Sequence, residues 1–155
     1  MLVVVGVGAA AAVALAIGIA LAGGDGFSSK VDYQADVVVA RDRVDFALER
    51  IAKSQSADEL VNRIEDAAET VDDVGNDLDG VDPAKGFEDE HKKLVRTLHT
   101  FSAELAGTAE TLRDPNFAGT LSGINSLSFE QWIAVNRILE GLKKQGIEVE
   151  PLARH

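Results

Sequence analysis

Residues 84–113 read AKGFEDEHKKLVRTLHTFSAELAGTAETLR, and their apolar positions decide the fold. Phe87, His91, Leu94, Leu98, Phe101, Leu105 and Leu112 step by three and four, with Thr108 filling the remaining step. That spacing returns to one face of a helix, whereas a half-buried strand alternates every second residue. Glu88 with Lys92 and Asp89 with Lys93 stand four apart with the acid first, the better orientation, worth a few tenths of a kcal/mol each. A helix is therefore predicted over 84–113.

The same period extends in both directions. Upstream, Ser56-Ala57-Asp58-Glu59 is a capping box, with Ser56 as N-cap and Glu59 three residues on. It opens a helix whose core positions are Leu60, Ile64, Ala67, Val71, Val74 and Leu78, and which Gly75 and Asp79-Gly80-Val81-Asp82-Pro83 are expected to end. The outer face of this helix is acidic: Asp58, Glu59, Glu65, Asp66, Glu69, Asp72, Asp73 and Asp77, opposed in its own sequence by Arg63 alone. Before it, residues 31–54 carry Val37, Ala40, Val44, Ala47, Leu48 and Ile51 on one stripe, and Arg41, Arg43, Glu49, Arg50 and Lys53 are expected on the other face.

Downstream, Asp114-Pro115 restarts the chain, and residues 115–125 read as a short helix carrying Phe117, Leu121 and Ile124. Ser128 is expected to cap a last long helix, with Gln131 in the reciprocal position. Trp132, Val135, Leu139 and Leu142 would line its inner face, supported by Ile138, and Gly146 would close it. The tail IEVEPLARH reads as an extended segment laid over the bundle. None of these amphipathic helices can bury its stripe alone, and the connections are short. An antiparallel four-helix bundle with one extra short helix is the economical solution.

The chain begins differently. Residues 2–22, LVVVGVGAAAAVALAIGIALA, contain neither charge nor proline. As a helix they would span about 31 Å, the thickness of a bilayer's hydrocarbon core. The expected division is a transmembrane anchor over 1–22, a Gly/Ser linker over 23–30 and a soluble all-α body over 31–155. A secretory signal would carry a basic leader and an apolar core of about 7 to 15 residues. No Lys or Arg precedes residue 30, and the apolar run is longer. Ala20-Leu21-Ala22 fits an A-x-A cleavage site, so a processed signal stays an alternative. A very short leader before a large polar domain favours a single-pass protein of the cell membrane with its body outside the cytoplasm. Gly6, Ala10, Ala14, Gly18 and Ala22 recur every four residues, the spacing that lets membrane helices approach closely. The partners expected for the anchor are thus membrane lipid and other transmembrane helices, either copies of itself or another protein's.

Composition narrows the function. The 155-residue chain has a formal net charge of −11, which argues against nucleic-acid partners. It leaves open a cationic protein partner on the acidic face of residues 58–77. The absence of cysteine removes disulfides, thiolate metal sites and thiol catalysis. Glu88 and His91 form one Glu-x-x-His, but a di-iron bundle needs that motif twice with two further glutamates. His91 therefore reads as a packed histidine on the apolar stripe, and His99 as a surface residue. Asp77-Leu78-Asp79-Gly80 resembles part of a calcium loop, yet aligning Gly80 with the sixth position places Gly75 first and Gly86 twelfth, where acids are required. No serine has a nucleophile-elbow context and no phosphate-binding loop is present. No catalytic, cofactor-binding or metal-ligating residue is assigned.

At the membrane boundary Leu21-Ala22-Gly23-Gly24 resembles the L-A-G-C lipobox of small envelope lipoproteins from high-GC Gram-positive bacteria, with Gly24 in place of the modified cysteine. Similar too are Tyr33-Gln34-Ala35-Asp36 opening the first helix, a Pro83-initiated helix with His91 early in it, and a last helix ending Leu142-Lys143-Lys144-Gln145-Gly146-Ile147. The resemblance implies an extracytoplasmic helical domain, and without the cysteine, retention by an uncleaved helix rather than by lipid. The expected function is a non-enzymatic, membrane-anchored accessory or scaffolding subunit. The alternatives are a binding module, holding an apolar ligand near Phe87, Phe101 and Trp132 or a cationic protein, and a self-assembling filament or shell subunit.

Overall fold

A computed structural model describes residues 26–114 and 129–154. Four helices make up this part of the chain: α1 (Lys30–Ala52), α2 (Ala57–Asp79), α3 (Glu88–Arg113) and α4 (Glu130–Lys144). Among the described residues there is no strand, only a single parallel bridge between Ser28 and Ala84. Residues 2–22 and the short helix expected over 115–125 lie outside the described residues, as does Ser128. None of the described helices is long and apolar enough to cross a membrane.

Local chemistry sets the helix ends. Ser29 caps α1 by accepting from the Asp32 amide at 3.1 Å, and its hydroxyl donates to the Asp32 carboxylate at 2.6 Å. Ser56 caps α2 as the capping box predicts, accepting from the Glu59 amide at 3.2 Å. The Glu59 carboxylate reaches back one residue further than expected, to the Gln55 amide at 2.8 Å. The third helix begins at Glu88 rather than Ala84, because Gly86 adopts a left-handed φ of 91° that stops helical propagation toward Pro83. Gly75, expected near the end of α2, lies inside the helix. At the end of α4, Gly146 (φ 88°) is the left-handed residue of a Schellman motif. Its amide donates to Lys143 O and that of Ile147 to Leu142 O, both at 3.0 Å.

Successive helices pack side by side and run antiparallel. Late α1 meets early α2 through Arg50 and Asp66, 3.2 Å apart. Early α2 meets late α3 through Glu65 and Arg113, and late α3 meets early α4 through Glu104. The Glu104 carboxylate accepts from the amides of Glu130 and Gln131 at 2.8 and 3.0 Å, so a side chain from α3 caps the start of α4. Residues 147–154 run back along the groove between α4 and α1. Ile147, Val149 and Leu152 are buried there, and Asn136 brackets Leu152 through both its backbone groups, at 2.6 and 3.3 Å. This segment closes the side of the bundle between its first and last helices.

Every core position expected on α1 and α2 is buried, as are Leu94, Leu98, Phe101 and Leu105 of α3 and Val135, Leu139 and Leu142 of α4. At mid-height the core converges on Val37, Val44, Leu78, Leu98, Leu139 and Leu152 around a void no larger than a water molecule. Leu112, Trp132 and Ile138 are only partly covered.

Candidate functional site

Two features stand apart from ordinary packing: the outer face of α1, and a group of buried polar atoms at the end of the bundle where α1 begins. On a helix turning about 100° per residue, Val31, Ala35, Val39, Asp42 and Phe46 fall within about 80° of arc. That arc faces away from the core. Val31 is 76% exposed, Phe46 63% and Val39 38%, and Phe27, just before the helix, is 42% exposed. The first half of α1 is thus apolar on both faces.

The arginines expected on that face lie to its sides, each held by a partner. Arg41 turns to the C-terminal segment, donating to Pro151 O at 2.7 Å and Glu150 O at 3.2 Å. Arg43 pairs with Asp77 of α2 at 2.5 Å and Arg50 with Asp66. Asp42, held by Arg41 Nη1 at 2.8 Å, puts one charge in the middle of the outer face, and Glu49 and Lys53, paired at 2.5 Å, lie at its far end. Beside the apolar residues run Asp32 and Asp36, and among the described residues no cation pairs with either. Burial, and then the neighbouring Asp32 carboxylate, push the Asp36 carboxyl above its ordinary range.

Beneath this face, Tyr33 is fully buried, its ring 5.9 Å from Phe87 and 5.6 Å edge-on from His91. Among the described residues its hydroxyl has no hydrogen-bond partner, nor have His91 Nδ1 and the buried Ser28 Oγ. Burial, and secondarily Glu90, push the phenol up to about 12. Burial lowers the His91 pKa, opposed by Asp79, by a hydrogen bond to the Leu78 backbone and by Asp82. With Nδ1 unpartnered, that bond falls to Nε2, so the neutral ring carries its proton there and presents a lone pair at Nδ1. Ser28 is held close by its amide bond to Pro83 O at 3.3 Å, and Lys30 lies 5.9 Å over the Phe87 ring.

The residues singled out from sequence fall in several places. Gly6, Ala10, Ala14, Gly18 and Ala22 lie outside the described residues. Glu88 and His91 do not act as a ligand pair: the Glu88 carboxylate accepts from the Gly86 amide at 2.8 Å, while His91 points into the core. Among the described residues no group of three potential ligands stands close enough to hold a metal ion. His99 is half-exposed as expected, but it rests against Gly75 and its Nδ1 lies 2.9 Å from Asp72, whose carboxyl that bond lowers. On the acidic face of α2, Glu59, Glu65, Asp66, Asp72 and Asp77 each already face Arg63, Arg113, Arg50, His99 and Arg43 respectively. The aromatics named for an apolar groove are spread out. Phe87 stacks with Tyr33 at one end, Phe101 meets Phe129 at 5.9 Å toward the other, and Arg154 lies 5.6 Å over Trp132.

Tyr33 and the outer face of α1 were missed by the sequence reading. Their signal was present in Val31, Ala35, Val39 and Phe46, which fall off the core stripe at helical spacing. Comparison with protein-family models, curated sequences and solved structures returns no match. The class is therefore defined by the architecture of the described residues, an all-helical bundle of four helices.

Proposed function

We propose that the chain is a non-enzymatic, membrane-anchored accessory or scaffolding subunit. Residues 2–22 hold it in the cell membrane among other transmembrane helices, and the bundle stands outside the cytoplasm as an assembly surface. The observation that carries most weight is the outer face of α1. A helix of a water-exposed body leaves Val31 and Phe46 largely uncovered where a polar face is the rule, and contiguous exposed apolar patches mark interaction surfaces. This face begins at Phe27, five residues beyond the end of the 2–22 stretch and within the Gly/Ser linker. The small-residue stripe and the lipobox-like boundary with Gly24 support retention by an uncleaved helix.

The test is substitution of Leu at both Ala14 and Gly18 in the full-length chain, followed by solubilisation in mild detergent. Release from co-purifying membrane proteins or from its own oligomer is expected, with the protein still resisting alkaline carbonate extraction. Unchanged co-purification would refute helix packing by this stripe. Extraction of the unsubstituted protein by carbonate would refute the anchor itself.

A further inference from the structure

The geometry points to a second copy of this chain as the occupant of the outer face of α1, with the two α1 helices packed antiparallel about a two-fold axis between Val38 and Val39. The inference does not depend on residues 2–22 spanning a membrane.

The face is complementary to itself in one direction only. In a parallel pair the residues at the centre of the face would meet their own copies, so Asp42 would stand against the partner's Asp42, and like charges across an interface are unfavourable. In the antiparallel pair each position meets the one whose number brings the sum to 77. Val31 then lies opposite the partner's Phe46, Ala35 opposite the partner's Asp42, and Val38 opposite the partner's Val39. The exposed ends of the stripe, about 22 Å apart along the helix, cover one another.

Charge fits the same register. A two-fold axis perpendicular to both helices keeps the two equivalent flanks on one side. Asp32, Asp36 and Arg43 share a flank of α1. In this register the partner's Arg43 arrives at the height of residue 34, midway between Asp32 and Asp36. Those two carboxylates have no cation of their own among the described residues, and the Asp36 carboxyl is already raised by burial and by Asp32. Arg43 is free to contribute because its pair with Asp77 is exposed, 40% at the arginine side chain and 55% at the aspartate. Such a pair holds a side chain weakly. One interface therefore covers four exposed apolar residues and neutralises an acidic pair, using only what each copy already presents.

The chain has no cysteine, so single cysteines report the register directly. Val31→Cys, Val39→Cys and Phe46→Cys variants of the full-length protein would be oxidised in mild detergent and read on non-reducing gels. Val39→Cys is expected to cross-link to itself. Val31→Cys alone should remain uncross-linked, and an equal mixture of the Val31→Cys and Phe46→Cys proteins should give the mixed dimer. Asp36→Arg in the Val39→Cys background should lower the cross-linked fraction at least tenfold, and adding Arg43→Asp should restore it. Self-cross-linking of Val31→Cys would show a parallel pair and overturn the proposal. So would failure of Val39→Cys to cross-link, failure of the mixed pair, or failure of the charge swap to restore what Asp36→Arg removes. Association through residues 2–22 alone does not reproduce this pattern, so the outcome is independent of the anchor test above.

Discussion

Replacing Tyr33 by Phe should make the protein more stable at neutral pH. The ring fills the end of the core against Phe87 and His91, and Phe preserves that ring. Only the hydroxyl is lost, and it is buried without a partner. A buried hydroxyl in that condition costs about 1–3 kcal/mol, so a gain of about 1 kcal/mol is expected, or about 3–5 °C in Tm for a body of this size. The sign changes nothing below pH 10, where the phenol is neutral in both folded and unfolded chains. Above it the unfolded chain loses its phenolic proton first, because the folded group holds on to about 12. The unfolded state then binds fewer protons, and wild-type stability falls by about 1.4 kcal/mol per pH unit between pH 10 and 12 from this group. Tyr33→Phe removes that component. Tyr33 is the only tyrosine, so phenolate absorbance reads its titration in isolation, and Trp132, the only tryptophan, reports urea unfolding in mild detergent. A variant destabilised by more than about 1 kcal/mol at neutral pH would show that the hydroxyl has a partner after all, and a folded phenol titrating near 10 would refute its burial.

His91 gives a dependence on the acid side. Burial holds its pKa below the ordinary 6.5, so below that pH the unfolded chain takes up a proton the folded one refuses, and stability falls as pH drops. His91→Leu should cost about 1 kcal/mol at neutral pH for the lost Leu78 bond and flatten this decline, and identical pH slopes in the two proteins would refute the assignment. Gly75→Ala ought to gain about 1 kcal/mol in the middle of a helix, but its Cβ would stand 3.0 Å from His99 Cε1. The substitution is expected to be near neutral alone and to stabilise by about 1 kcal/mol when His99→Ala clears the space, and equal gains in both backgrounds would disprove the contact.

The helices and their buried stripes were legible because one period governs each of them from end to end. Leu60 through Leu78 and Leu94 through Leu105 fall on one face whatever packs against them, and Ser56 and Gly146 mark ends by chemistry local to the chain. The start of α3 was not legible. Pro83 and Ala84 suit a first helical turn, and only the left-handed conformation of Gly86 and the pairing of Ser28 with Ala84 hold them out of it. Gly75 misled in the opposite sense. A glycine near the end of an acidic helix resembles a stop, but here it accommodates the His99 ring, a requirement set by a different helix.

The outer face of α1 was the least legible feature, for a reason that also makes it useful. A periodic pattern identifies a core only where the opposite face is polar, and residues 31–40, VDYQADVVVA, are apolar in both directions. In the sequence, Arg41, Arg43 and Arg50 stand where the missing polarity is expected. Yet each is bent toward a neighbour whose position the local sequence does not reveal, and Arg41 reaches carbonyls 109 and 110 residues away. By docking between α4 and α1, the C-terminal segment buries Ile147, Val149 and Leu152 and draws Arg41 sideways. The docking that buries these residues engages Arg41 through Nε and Nη2 while its Nη1 stays on Asp42 at 2.8 Å, and Val31, Val39 and Phe46 remain exposed beside it. One arginine thus joins two parts of the surface, tying the closing segment to α1 on one side and Asp42 of the outer face on the other, a link that only the folded chain makes visible.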